Sequence, residues 1–95
     1  VGDRPRQENT MNDVILYTTR TCPYCVAAKA LLQRKGVVAT EVDVQLDPQR
    51  FAEMLERSGG RRSVPQVFIG TRHVGGFDDL AALERQGQLD AWLGR

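Results

Sequence analysis

Two cysteines, Cys22 and Cys25, lie two residues apart between a short apolar run and a segment with helical spacing. The run Val14-Ile15-Leu16-Tyr17-Thr18 is nearly continuous in apolar residues, as a strand covered on both faces is. After it, Thr21 suits a helix N-cap, and Pro23 suits the first helical turn, where a missing N–H costs little. Pro23, Val26, Ala27, Ala30 and Leu31 recur at helical spacing, and Gly36 provides a C-terminal stop. The cysteine pair is therefore expected where a buried strand hands over to a helix N-terminus. A bridge across two residues closes too small a loop to stabilise a fold much by chain entropy. Disulfide-stapled secreted domains carry more cysteines at wider spacings. The economical expectation is a reducing compartment, the cytoplasm, and a pair kept for its chemistry.

The rest of the chain continues the pattern. Val38, Thr40 and Val42 alternate with Ala39, Glu41 and Asp43, which predicts a half-buried edge strand. Asp47-Pro48 opens a second helix with Phe51, Met54 and Leu55 on its inner face, and Ser58-Gly59-Gly60 ends it. Val67 to Ile69 forms a third strand, and Gly70-Thr71 a tight turn into a fourth around Arg72 to Val74. Gly75-Gly76 breaks that strand. A third helix runs from about Asp78 to Gln86, and a short last one carries Leu89, Trp92 and Leu93, with Trp92 as the core plug. Tyr17 and Phe68 read as core or strand residues, and His73 as a surface residue of the edge hairpin. The order is strand, helix, strand, helix, strand, strand, helix. A parallel βαβ unit, a hairpin and a closing helix make up the thioredoxin-like plan: an α/β fold with a four-stranded mixed β-sheet flanked by helices.

Ninety-five residues suffice for one domain and are too few for two. Residues 1–10 are polar and are expected to lie outside the fold as an appended segment or natural extension, leaving 11–95 as the domain. Thirteen Lys and Arg against twelve Asp and Glu leave a formal charge of +1, which gives no reason to expect nucleic acid or a membrane as partner. No apolar run is long enough to cross a bilayer.

Sulfur attacks a disulfide as thiolate, so the nucleophile needs surroundings that favour negative charge. A helix N-terminus supplies them through unpaired N–H groups and the positive end of the helix dipole. Cys22 is placed there, and Cys25, one turn on, can reach back to it. A zinc site is the competing reading, but it needs a second Cys or His pair, and His73 is the only histidine. Two inert buried thiols would sit oddly at a strand-to-helix turn, which is the exposed end of such a fold.

Three segments carry a resemblance. Thr21-Cys22-Pro23-Tyr24-Cys25 matches the active-site sequence of class I dithiol glutaredoxins. Ser63-Val64-Pro65-Gln66-Val67-Phe68-Ile69 resembles their Thr-Val-Pro strand, and Gly75-Gly76-Phe77-Asp78-Asp79-Leu80 their glycine pair and acidic helix start. They fall in family order and spacing, and the likeness spans residues 13–92. It implies Cys22 and Cys25 as catalytic residues and glutathione as co-substrate, with no tightly bound cofactor or metal. It further implies a cis Pro65 that presents the Val64 N–H and C=O to the cysteinyl backbone of glutathione, like an added strand. The N–H groups of Asp78 and Asp79 would hold the γ-glutamyl carboxylate, and an Asp side chain its ammonium. Tyr24, Ser63, Gly76 and Phe77 complete the expected glutathione site. Taken without the resemblance, Pro65 is an ordinary strand-starting proline, and the acidic pair simply stabilises its own helix.

This chain departs from the family in three places. Thr19 stands where many members carry the Lys that grips the glycyl carboxylate. Arg20 is the nearest cation, and Arg61 and Arg62 are alternatives; Arg20 and Arg62 are the two included in the expected site. Phe77 replaces a common Cys or Ser, and Ser63 replaces Thr. The implied partners are glutathione and disulfide-bearing or glutathionylated proteins, and a monomer is expected. Two rival readings are a redoxin served by thioredoxin reductase and an iron–sulfur carrier using Cys22 and glutathione across a dimer. The Gly-Gly-Phe-Asp-Asp segment argues against the first, and Pro23 with Cys25 against the second.

Overall fold

The computed structural model describes residues 13–94. The expectation for residues 1–10 therefore lies outside the described residues. The elements are β1 (Val14–Thr18), α1 (Pro23–Arg34), β2 (Thr40–Asp43), α2 (Pro48–Arg57), β3 (Gln66–Ile69), β4 (Arg72–Gly75), α3 (Phe77–Arg85) and α4 (Leu89–Leu93). They form the expected four-stranded mixed sheet, in the order β2-β1-β3-β4. β1 pairs with β2 in parallel, with α1 as the crossover. β3 runs antiparallel to β1, and a two-residue turn at Gly70-Thr71 leads into antiparallel β4. Among the described residues no helix is long and apolar enough to cross a membrane.

Side chains along a strand alternate between faces, and here they build two cores. Val14 and Leu16 of β1 join Val67 and Ile69 of β3 beneath α1, α3 and α4, with Ala28, Leu32, Leu80, Leu89 and Leu93. Tyr17 and Phe68 face the other way, toward α2, with Met54, Val42 and Val44. Helices on both faces explain why β1 reads as a nearly continuous apolar run.

Several local expectations are corrected. The buried stripe of α1 is Cys25, Ala28, Leu31 and Leu32, while Val26 is 65% exposed. The inner face is thus rotated from the predicted one, and it passes through Cys25. The N-cap is Cys22 itself, not Thr21. β2 begins at Thr40, and Val38 is 95% exposed. The cause is the end of α1. Gly36 has φ +77°, its N–H bonds Gln33 O at 3.0 Å, and the Val37 N–H bonds Leu32 O at 3.0 Å. This is a Schellman cap, whose apolar residue after the glycine folds back onto the helix. Val37 is spent there, in the core with Leu31 and Leu32. Trp92 is only half-buried, with the Arg72 guanidinium 3.4 Å from its ring centroid, and Leu89 and Leu93 are the plugs of α4. The Asp47 cap of α2 is as expected, its carboxylate accepting the Gln49 N–H at 3.0 Å.

Candidate active site

The α1 start follows from its sequence. Cys22 keeps an extended backbone, φ −98° and ψ 109°, and Pro23 takes the first helical position. Its Sγ accepts the Cys25 N–H at 3.2 Å, so sulfur does what a Ser or Asp oxygen does at most helix starts. A backbone donor at a helix N-terminus thus faces the sulfur that must carry negative charge during exchange. Cys22 is partly exposed and Cys25 is 3% exposed; both are free thiols. Burial pushes the Cys25 thiol up from its ordinary value, and its hydrogen bond with Cys22 adds to this, against weaker opposing bonds from Thr18 and Thr19. Cys25 is held as a thiol beside an accessible Cys22.

Opposite Cys22, the loop before β3 carries Val64, whose carbonyl accepts the Cys22 thiol at 3.6 Å. The Val64–Pro65 peptide is cis. From there an open cleft of about 320 Å³ runs to the N-terminus of α3. Ser63, Val64 and Pro65 form one wall, and Gly76, Phe77, Asp78 and Asp79 another. Tyr24 closes it from the cysteine loop, 62% exposed and 6.4 Å from Phe77 between ring centroids. Gly76 is the N-cap of α3 and offers no side-chain acceptor, so it leaves the first-turn N–H groups of the helix open to a ligand anion. The Asp79 carboxylate accepts the Gly76 N–H at 3.0 Å and pairs with Arg61 at 3.4 Å.

A glutaredoxin family model matches residues 14–74 of this chain. A glutaredoxin of Pseudomonas aeruginosa is 55% identical over 83 residues, which cover 87% of this chain and 98% of that protein. The chain belongs to the glutaredoxin family. Solved structures agree. The solution structure of a glutaredoxin from Brucella melitensis superposes with a TM-score of 0.79 at 55% identity, covering 93% of this chain and 95% of that one. A buckwheat glutaredoxin–glutathione complex superposes with a TM-score of 0.78 at 29% identity, covering 86% and 76%. The family consists of thiol–disulfide oxidoreductases, and this chain is one of them, with Cys22 and Cys25 as its cysteine pair.

Of the site residues expected from sequence, the cleft brings together Tyr24, Ser63, Val64, Pro65, Gly76, Phe77, Asp78 and Asp79. Arg20 and Arg62 do not line it. Arg20 belongs to a separate groove of about 240 Å³ with Thr19, Cys25 and Lys29. Arg62 reaches over the Phe51 ring of α2, 5.5 Å from its centroid. The arginine in the cleft is Arg61. His73 is not simply a surface residue: it is half-buried, stacks on Phe68 at 4.7 Å, and its Nε2 lies 2.7 Å from Gln66 Oε1. Burial and, next, the nearby Arg61 hold its pKa below the usual histidine value, with Asp79 opposing. Sequence reasoning passed over Gln66, which is fully buried. The usable signal was a polar residue on the inward face of a strand whose other members are apolar.

Glycine is required at Gly75. Its φ is +119°, and a Cβ there would lie 2.2 Å from Asp79 Oδ2. Gly75→Ala is expected to lower stability by about 1 kcal/mol or more and to displace Asp79 from the Gly76 N–H. Urea unfolding reads the first effect. An alanine variant as stable as the parent contradicts the tight approach of Asp79 to β4.

Proposed function

We propose that this chain is a glutathione-dependent oxidoreductase that reduces glutathione mixed disulfides and protein disulfides, acting as a cytoplasmic monomer. The observation that carries the reading is that one cleft joins the Cys22 edge, through Val64, to the open N-terminus of α3. Glutathione is a short extended peptide with a thiol in the middle and a carboxylate at either end. An exposed backbone segment at Val64 suits its centre, and the first-turn N–H groups of Asp78 and Asp79 suit its γ-glutamyl carboxylate. An Asp carboxylate suits its ammonium, and Arg61, which lines the cleft beside Asp79, adds positive charge for a glutathione carboxylate. The buckwheat relative was solved with glutathione, and its likeness to this chain supports the reading.

In the first route the Cys22 thiolate attacks the glutathionyl sulfur of a mixed disulfide, and the protein leaves as thiolate. A second glutathione thiolate then attacks the glutathionyl sulfur on Cys22, releasing glutathione disulfide and the Cys22 thiolate. In the second route Cys22 opens a protein disulfide, and Cys25, once deprotonated, attacks Cys22 Sγ to release the substrate dithiol. Two glutathione molecules then reduce the Cys22–Cys25 bond. The raised pKa of Cys25 slows that internal closure, which leaves time for glutathione to act first.

The testing assay couples disulfide reduction either to glutathione with glutathione reductase or to thioredoxin reductase. Turnover is expected with the first system only; turnover with thioredoxin reductase alone contradicts the proposal. The arginine assignment adds a second expectation. Arg61→Gln raises the KM for a glutathionylated peptide by roughly two- to fivefold, as loss of a solvent-exposed ion pair does. Arg20→Gln and Arg62→Gln leave it unchanged. A larger effect at Arg20 than at Arg61 contradicts the choice of Arg61 as the carboxylate-binding arginine.

A further inference from the structure

Gln66 opens β3 with no exposed surface, and its amide is fully engaged. Its Nε2 donates to Ser63 O at 3.0 Å and to Ser63 Oγ at 3.3 Å. A carbonyl can only accept, so the amide nitrogen must face Ser63, which leaves Oε1 for His73 Nε2 at 2.7 Å. His73 Nε2 therefore carries a proton in the neutral ring as well as in the cation. The His73 ring is held in turn by its stack on Phe68 and by its register opposite Phe68 across the β3–β4 hairpin.

The carbonyl of Ser63 and the N–H of Val64 belong to one peptide group. In a planar trans peptide the two point in opposite directions. The Ser63–Val64 peptide is trans, and pulling its carbonyl inward onto Gln66 turns the Val64 N–H outward. Val64 is the residue whose carbonyl touches Cys22 and which lines the cleft. We propose that Gln66, its amide oriented by His73, is a positioning residue that aims the Val64 N–H at the backbone of bound glutathione. The proposal rests on the glutathione reading above and adds two residues that touch neither substrate nor the reacting sulfurs. Gln66 works through one peptide plane, and His73 works through Gln66. An amide free to rotate would turn its oxygen toward Ser63 O for part of the time, and the plane would lose its anchor.

The test compares Gln66→Met, which keeps length and apolar stem but removes donor and acceptor, with His73→Phe, which keeps the stack on Phe68 but removes the N–H. For a glutathionylated peptide, the KM is expected to rise about fivefold or more in Gln66→Met, as loss of a well-formed backbone hydrogen bond gives. The rise in His73→Phe is smaller and in the same direction. kcat and the rate of Cys22 alkylation by iodoacetamide stay at parent values, because the α1 terminus is untouched. The ¹H–¹⁵N spectra are taken on a Cys25→Ser background, where glutathione disulfide leaves glutathione on Cys22 and cannot form a Cys22–Cys25 bond. There the Val64 amide shifts far more on loading than it does with Gln66→Met added, while Asp78 and Asp79 shift in both. Should Gln66→Met not fold, His73→Phe carries the same KM and spectral comparison alone. Unchanged KM with an intact Val64 response overturns the positioning role and leaves the glutathione reading standing. A fall in Cys22 alkylation together with kcat shows a merely structural role and overturns it too. A parent that shows no saturation with the glutathionylated peptide removes the glutathione reading, and the proposal with it.

Discussion

Cys22→Ser is expected to abolish both disulfide reduction and deglutathionylation, whereas Cys25→Ser keeps deglutathionylation and loses only the route that needs a second thiol. The asymmetry follows from where one helix turn puts the two sulfurs. Cys22 caps α1 from outside the helix, partly exposed, with the Cys25 N–H on its sulfur and the Val64 carbonyl across from it. Cys25 lies on the buried stripe with Ala28 and Leu32, and burial keeps it protonated to higher pH than an ordinary thiol. A serine hydroxyl at position 22 is far too weak an acid to form the attacking anion at neutral pH. A serine at position 25 leaves Cys22 and the cleft in place, so the glutathionyl group still transfers and is still released by free glutathione. Steady-state assays with a glutathionylated peptide and with a protein disulfide separate the cases. Equal loss of both activities in the two variants contradicts the division of roles.

The largest expected stability loss away from the cysteines is at Phe68. This ring is 2% exposed and packs on three sides. Tyr17 meets it edge-on at 5.6 Å, His73 stacks on it at 4.7 Å, and the Arg57 guanidinium lies 4.4 Å from its centroid. Arg57 also donates to the Tyr17 hydroxyl at 2.9 Å, and that hydroxyl donates to Glu53, so α2 is fastened to the sheet around this one ring. Phe68→Ala removes the ring and leaves a cavity, at a cost of about 3–5 kcal/mol. That is a large share of the roughly 5–15 kcal/mol that holds a domain together. The melting temperature should fall by roughly 12 °C or more for a chain of this length. Phe68→Leu, which keeps much of the apolar volume, should lose less than half as much. A Phe68→Ala loss of under about 1 kcal/mol would show that the α2 face collapses into the space and that the ring is not its centre.

How far the sequence could be read depended on how local each cause was. The buried β1 run, the Asp47-Pro48 helix start and the Gly70-Thr71 hairpin are set by a few adjacent residues, and each is found where it was expected. The phase of α1 was not recoverable by the same means. Pro23, Val26, Ala27, Ala28, Ala30 and Leu31 occupy so many positions that several faces look equally apolar, and packing against the sheet chose Cys25, Ala28 and Leu32. Val37 and Val38 look alike in sequence, but the cap at Gly36 turns one inward and leaves the other in solvent. In the site, residues of the three family-like segments lie together along one cleft. The choice among Arg20, Arg61 and Arg62 needed the tertiary fold. Arg61 pairs with Asp79 of α3 across 18 positions of sequence and lines the cleft, whereas Arg20, nearer the cysteines along the chain, lies in the other groove. Gln66 and His73 escaped for a related reason. Each has an unremarkable local setting, and only the β3–β4 pairing makes them partners.

The proposed function places the glutathionyl group in the Val64–α3 cleft and not in the groove lined by Arg20, Cys25 and Lys29. Amide chemical-shift mapping on the Cys25→Ser variant, trapped as its Cys22 mixed disulfide with glutathione, tests this most directly. The predicted result is a set of large shifts at Val64, Gly76, Asp78 and Asp79, with Thr19, Arg20 and Lys29 nearly still. Large shifts at Thr19, Arg20 and Lys29, with Asp78 and Asp79 unmoved, would contradict it.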